Sequence, residues 1–205
     1  MPAPTLCLML KAPRLGQVKT RLAKDIGEAA ALAAYRALVE RQMREIPAGW
    51  NVEIHFTPDD GAAEMRAWLG PLREAAPVFI PQAAGDLGAR LIAALHSAFA
   101  RGARQVIFVG GDCPGLTRER LAEAAEKLEH ADLVIIPAVD GGYVSIAFNV
   151  PHTGVFEGIE WSTERVCEQT QRRAKELRLS FGLLAPLEDV DELASWERAQ
   201  RLLEG

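Results

Sequence analysis

The sequence predicts an α/β fold, a sheet covered by helices on both faces. Three observations carry this prediction. Apolar, strand-like runs alternate with stretches whose apolar residues recur at helical spacing along nearly the whole chain. Three of those runs end in short polar motifs: TLCLML (5–10) leads into KAPRLGQVKTRL, RQVIFV (104–109) into GGDCPG, and ADLVIIPAV (131–139) into DGGY. The 205 residues suffice for a full core, and neither a linker nor a repeat interrupts them, so residues 1–205 read as one domain.

The elements follow in order. TLCLML is the first strand, entered through prolines. Residues 28–45 are Ala-rich, with Leu32, Tyr35, Leu38, Val39 and Met43 at helical spacing. NVEIHFT (51–57) alternates apolar and polar residues as a strand does, AAEMRAWLG (62–70) is a short helix stopped at Gly70-Pro71, and PVFIPQ (77–82) is a short strand. Asp86 caps a helix over 87–101 whose inner face holds Leu91, Leu95, Ala98 and Phe99. After RQVIFV, Thr117 caps a helix ending near His130. DLVIIPAV and YVSIAFNV are strands around the DGGY turn. Ser162 or Thr163 opens a helix to about residue 177, LSFGLL (179–184) is the last strand, and Asp191 begins a C-terminal helix.

Composition excludes several classes. The net charge of −5 argues against a nucleic-acid binder, which usually carries a basic face. Three cysteines, with no CxxC pair, form neither a disulfide framework nor a zinc ribbon, and they suit a reducing cytosol. No apolar run is long enough to cross a bilayer, and the N-terminus lacks the basic region of a signal peptide. The protein is therefore expected in the cytoplasm. No GxGxxG follows the first strand, which argues against a dehydrogenase. GQVKT lacks the first glycine of a P-loop, since Lys11 stands where it belongs.

What remains is a phosphate and metal chemistry. Parallel strands deliver their carboxyl ends to one edge of an open sheet, where ligands bind. If the three strands bearing polar motifs are parallel neighbours, Lys11, Arg14, Gly16, Lys19, Thr20 and Arg21 share a crevice with Asp112 and Asp140. Gly16 lets the loop turn, the cations suit a pyrophosphate, and Thr20 adds a donor. A helix beginning near Lys19 or Thr20 would add favourable potential for an anion. One carboxylate at a strand end, Asp112, suits Mg2+ or Mn2+, ions that complete their shells with water and phosphate. Thr117 is better placed than Asp112 to cap the next helix, which leaves Asp112 free. Asp140 presents a carboxylate to an acceptor, and Gly141 and Gly142 let a ligand come close; a plain hairpin turn explains the same residues. Trp161 either covers a sugar or base or anchors the core. Glu188, Asp189 and Asp191 read first as an acidic turn capping the last helix, with metal ligation by Asp189 or Asp191 as the alternative. Four histidines show no ligand spacing, and Cys113 has no local base.

KAPRLGQVKTRLAKDIG, GDLGARL, GGDCPGL, PAVDGGY, the run from Phe156 to Thr163 and LEDVDE, in that order, resemble the bacterial DUF2064 family, described as glycosyltransferase-like or selenodomain-associated transferases. The resemblance spans about residues 5–195. It implies a GT-A-like, three-layer α/β/α sandwich with a mainly parallel sheet and one antiparallel strand. It also implies a metal-dependent transferase using a nucleotide or nucleotide-sugar donor and a small-molecule acceptor. By motif, Lys11, Lys19 and Arg21 match the nucleotide-phosphate loop, Asp112 the metal aspartate, Asp140 an acceptor- or metal-side position, and Asp189 and Asp191 a DxD-containing turn. Departures fall after DGGY (Val144-Ser145-Ile146-Ala147) and after GDLG (Ala89, Arg90, Leu91), positions that shape the acceptor pocket. Two alternatives stay open: a guanylyltransferase-like nucleotidyltransferase releasing pyrophosphate, and a non-catalytic nucleotide-binding module.

Overall fold

A computed structural model describes residues 3–203; Met1, Pro2, Glu204 and Gly205 lie outside the described residues, so the first of the entry prolines and the two ends of the one-domain reading are untouched by it. Seven strands form one sheet in the order β3-β2-β1-β4-β6-β5-β7. They are β1 (Thr5–Lys11), β2 (Asn51–Thr57), β3 (Val78–Pro81), β4 (Val106–Val109), β5 (Leu133–Pro137), β6 (Tyr143–Phe148) and β7 (Phe181–Leu183). All neighbours pair in parallel except β6, which runs antiparallel to β4 and β5. The fold is the mainly parallel α/β sandwich that the sequence predicts, with its one reversed strand.

The helices are α1 (Ala23–Ile26), α2 (Glu28–Glu45), α3 (Ala62–Leu69), α4 (Leu87–Ala100), α5 (Arg118–Lys127), α6 (Val166–Glu176) and α7 (Leu193–Leu203). Two buried clusters mark the two faces of the sheet. One joins Leu8, Leu10, Ile54 and Ile107 to Tyr35, Val39 and Met43 of α2 and to Leu121 and Ala124 of α5. The other joins Phe108, Ile135, Ile146 and Phe148 to Leu91, Leu95 and Ala98 of α4. Cys7, Cys113 and Cys167 are all buried and unpaired. Among the described residues, no helix is long and apolar enough to cross a membrane.

Several elements depart from their sequence expectation. β2 alternates in sequence, yet Glu53 and His55 are as buried as their apolar neighbours. Arg101, from the end of α4, resolves the conflict: its guanidinium meets Glu53 Oε1 at 3.1 Å, while His55 Nε2 lies 3.0 Å from Glu53 Oε2. A buried carboxylate is tolerated only with such partners. Asp86 caps α4 as expected, accepting from the Ala89 amide at 2.8 Å. Thr117 stands just before α5, at the cap position, but its side chain makes no capping bond; Glu45 Oε2 instead accepts from the Arg118 amide at 3.0 Å. α6 starts at Val166, later than Ser162 or Thr163, and Thr163 Oγ1 is occupied with Glu160 and Arg165. α7 starts at Leu193, beyond Asp191.

The DGGY turn carries a further correction. Gly141 has φ 92°, and a Cβ there would lie 2.0 Å from the Glu164 carbonyl oxygen. Its own carbonyl accepts from the Cys167 amide at 2.9 Å. The glycine thus lets the hairpin press on the start of α6, and the close approach is to protein backbone. Gly141→Ala is expected to destabilise the protein by about 3 kcal/mol or more, because strain at positive φ adds to a backbone overlap. Urea unfolding monitored by far-UV circular dichroism checks this.

Candidate active site

The crevice lies at the carboxyl edge of β1 and β4, which are direct parallel neighbours. β5 is not adjacent to them, because β6 is inserted between. Reversal of β6 brings its first residue, Tyr143, to that same edge.

The cationic loop is built around two buried anchors, Val18 and Leu22. Between them Lys19 adopts φ 46°, a left-handed conformation uncommon for lysine. That twist turns its side chain inward, where it is only 6% exposed. Its Nζ donates to Asp112 Oδ2 at 3.0 Å and to Asp191 Oδ1 at 3.2 Å. Burial alone would lower its pKa, but the carboxylates of Asp112 and Asp191 outweigh burial and hold it above the ordinary lysine value. Arg21 NH1 reaches Asp191 Oδ2 at 3.4 Å from an exposed position. No long helix begins at Lys19 or Thr20; the four-residue α1 begins at Ala23, so the anticipated helix-terminus contribution is missing.

The acidic side comes from two loops held together by backbone. The Val190 amide donates to the Asp112 carbonyl at 2.9 Å, and the Val190 side chain is buried with Leu38 and Ala199. With Val190 turned inward, its flanking residues Asp189 and Asp191 face the crevice beside Asp112. One oxygen from each of the three lies within 4.8 Å of the others. The reading of Asp191 as a helix cap is replaced by its pairing with Lys19 and Arg21. Asp189 is pushed up to about 6 by burial first, then by the charges of Asp112, Asp140 and Asp191. Cys113 is pushed up to about 12 by burial first and then by Asp112, so its thiol stays neutral.

The raised value of Asp189 sets a sign. In the folded state it holds a proton at pH values where the unfolded chain has lost it. Its contribution to stability is therefore unfavourable above pH about 6 and fades as pH falls toward the ordinary carboxylate range. Asp189→Asn is expected to raise stability at pH 7 by on the order of 1 kcal/mol, after discount for its partial exposure, and by much less at pH 4. Paired denaturation curves at the two pH values test this.

Two cavities open along this edge. The first, about 290 Å3, is lined by Lys11, Lys19, Thr20, Arg21, Asp112 and Asp191, with Tyr35 and Met9 in its wall. Tyr35 Oη donates to the Lys11 carbonyl at 2.7 Å and accepts its amide at 3.1 Å, fixing the end of β1. The second, about 260 Å3, shares Met9, Gly110 and Asp112 with the first and adds Asp189.

Of the candidate residues, Lys11, Lys19, Thr20, Arg21, Asp112, Asp189 and Asp191 come together here. Arg14 does not line either cavity; its guanidinium is bound to Asp60 at 2.9 Å and Glu64 at 2.7 Å. Gly16 turns at φ 72° beside the Glu28 carboxylate, also outside both cavities. Asp140 is exposed on the hairpin tip and accepts the Gly142 amide at 2.9 Å. Its charge still reaches Asp189. Trp161 packs on Gly88, where a Cβ would lie 2.8 Å from its Nε1, and against Phe156 at 6.2 Å between centroids. It anchors the loop on α4. Sequence reasoning missed Tyr35 and Met9 as cavity walls; the helical and strand periods that bury them give no sign of a crevice.

The sheet topology is that of the nucleotide-diphospho-sugar transferase-like fold. A candidate nucleotide-diphospho-sugar transferase of Desulfovibrio desulfuricans G20 superposes with a TM-score of 0.85 at 30% identity, covering 98% of this chain and 94% of that one. The 4-diphosphocytidyl-2C-methyl-D-erythritol synthase of Anaerococcus prevotii DSM 20548 shares the fold at 9% identity, with a TM-score of 0.63 and coverage of 98% and 99%. So does Rv0371c of Mycobacterium tuberculosis H37Rv in its complex with manganese, at 16% identity and TM-score 0.55, covering 99% and 100%. No curated protein matches the chain in sequence. The profile of DUF2064, an uncharacterized protein family conserved in bacteria, matches residues 42–163, and the chain belongs to that family.

Proposed function

We propose that the chain, acting as one domain, is a metal-dependent transferase that draws on a nucleotide-diphospho-sugar donor. The observation that carries this reading is the Lys19 ammonium set between Asp112 and Asp191 at the shared crevice, with Lys11 and Arg21 beside it. Lys11, Lys19, Thr20 and Arg21 bind the diphosphate, as compact and forked donors suit its oxygens. Arg14 and Gly16 shape the loop from outside the cavity.

Asp112, Asp189 and Asp191 fit a divalent cation. They are hard oxygen donors, they converge, and a cation already stands among them in the form of Lys19. When bound there, Mg2+ or Mn2+ would neutralise the negative charge that gathers on the departing phosphate. Asp140 orients the acceptor from the hairpin tip with the oxygen its own turn leaves free, and takes up the hydroxyl proton. The acceptor oxygen bonds to the anomeric carbon, the bond from that carbon to the diphosphate breaks, and the electron pair leaves with the nucleoside diphosphate. Buried, unpaired cysteines accord with a cytoplasmic setting.

Calorimetry with UDP-, GDP- and CDP-linked sugars, with and without manganese, tests the donor. Saturable binding that strengthens with the ion is expected; folded protein binding none of them overturns the proposal. Analysis of released products separates the reactions. Nucleoside diphosphate supports sugar transfer, pyrophosphate from a triphosphate donor supports nucleotidyl transfer, and binding without either supports a non-catalytic module.

A further inference from the structure

The second cavity differs from the first in chemistry. Its walls are Leu87 and Leu91 of α4, Phe108 and Val109 of β4, Tyr143, Val144 and Ile146 of β6, and Met9 of β1. Among the described residues, its only charged ones are Asp112 and Asp189, at the border with the first cavity, and no lysine, arginine or histidine lines it, whereas the first holds Lys11, Lys19 and Arg21. A phosphate or carboxylate seated among the apolar side chains, away from the border where the ion would bind, would lose its hydration without gaining a cation. An apolar surface gains roughly 25 cal/mol for every Å2 removed from water there.

We propose that this cavity is the acceptor subsite and that it takes an uncharged molecule with an apolar body. The hydroxyl of that molecule points to the border with the first cavity, at the sheet edge that also carries the hairpin of Asp140, its base in the transferase reading. This inference rests on the transferase reading and adds to it the class of acceptor. The geometry supports it twice over: Asp112, Met9 and Gly110 belong to both cavities, so a group held in one is presented to a group held in the other. Leu87, a 44% exposed leucine at the mouth, extends the apolar surface outward for a molecule longer than the cavity.

Benzyl alcohol, benzoate and benzyl phosphate carry one ring and differ in charge, so they serve as probes. The protein with methyl groups labelled for NMR is titrated with each, with and without magnesium. Saturable shifts of the Leu91 and Ile146 methyls with benzyl alcohol are expected, with an affinity about tenfold above that for either anion. Leu87→Lys, a substitution at an exposed position, is expected to narrow or reverse that preference. Benzoate or benzyl phosphate binding the unaltered protein as tightly as the alcohol overturns the inference, as do alcohol-induced shifts confined to residues outside this cavity. Nucleotide affinity measured on the same sample keeps the two readings apart: nucleotide bound in the first cavity, with no alcohol in the second, overturns this inference alone.

Discussion

Asp112→Asn is expected to remove manganese binding and to lower turnover by on the order of 10^3-fold. Asp112 is the charged residue among the three on which the two cavities meet, and it accepts a bond from Lys19 while its backbone holds the Val190 amide. Asparagine keeps the shape and the backbone contacts. It supplies a neutral oxygen where an anionic one stood, and it leaves Asp189 with one fewer like charge nearby. Relief at Asp189 offsets the weakened pair with Lys19, so stability at neutral pH should change little, and the Asp189 carboxyl should titrate at lower pH. Calorimetry with manganese chloride, a melting curve and the pH dependence of stability read these three effects separately. A variant that loses activity while keeping its melting temperature and losing the ion fits the proposal. A variant with undiminished function favours the binding-module reading.

Lys19→Gln should move two affinities in opposite directions. Nucleotide affinity should fall by about 10^2-fold, the scale for truncating one partner of a mostly buried charge pair. Manganese affinity should rise, because the ammonium no longer occupies the oxygens of Asp112 and Asp191. Without nucleotide or ion, the variant leaves three neighbouring carboxylates, of which Asp191 alone keeps an ion pair, with the exposed Arg21. A stability loss of about 1–2 kcal/mol at neutral pH is expected, reduced from the fully buried case because both carboxylates touch solvent. Addition of manganese should restore it. Calorimetry for nucleotide and ion, and melting curves with and without the ion, measure each part. Equal weakening of nucleotide and ion would contradict the placement of Lys19 as a competitor for the ion's position.

Much of this arrangement is legible in the residues. Strand runs and amphipathic periods locate β1, α2, β2, α4 and β4 closely, because burial on one face imposes its period on the sequence. The polar motifs after β1 and β4 mark the crevice for the same reason: a functional loop interrupts an apolar run abruptly. Other features depend on contacts between distant segments. The burial of Glu53 is decided by Arg101, 48 residues away, and β2 alone reads as half-exposed. Nothing local tells that β6 slips between β4 and β5, since a DGGY hairpin is compatible with either edge. The second glycine-rich turn looks like a ligand approach, and only the position of Glu164 shows otherwise. Asp191 has the composition of a helix cap. Its role changes because Lys19, 172 residues earlier in the chain, is twisted through positive φ to meet it. Arg14 carries the same charge as its neighbours in the loop, and Asp60 and Glu64 draw it away.

The end of β4 is a party wall between two chambers. In the proposed reading, donor grip comes from the segment after β1 and from Asp191, whereas the far chamber is furnished by α4 and β6. Substitutions can accumulate on those two elements, altering which molecule is welcomed, while the machinery on the other side of the partition stays intact. A scaffold divided in this way can be retargeted one room at a time, and a change at Met9, Gly110 or Asp112 would be felt in both.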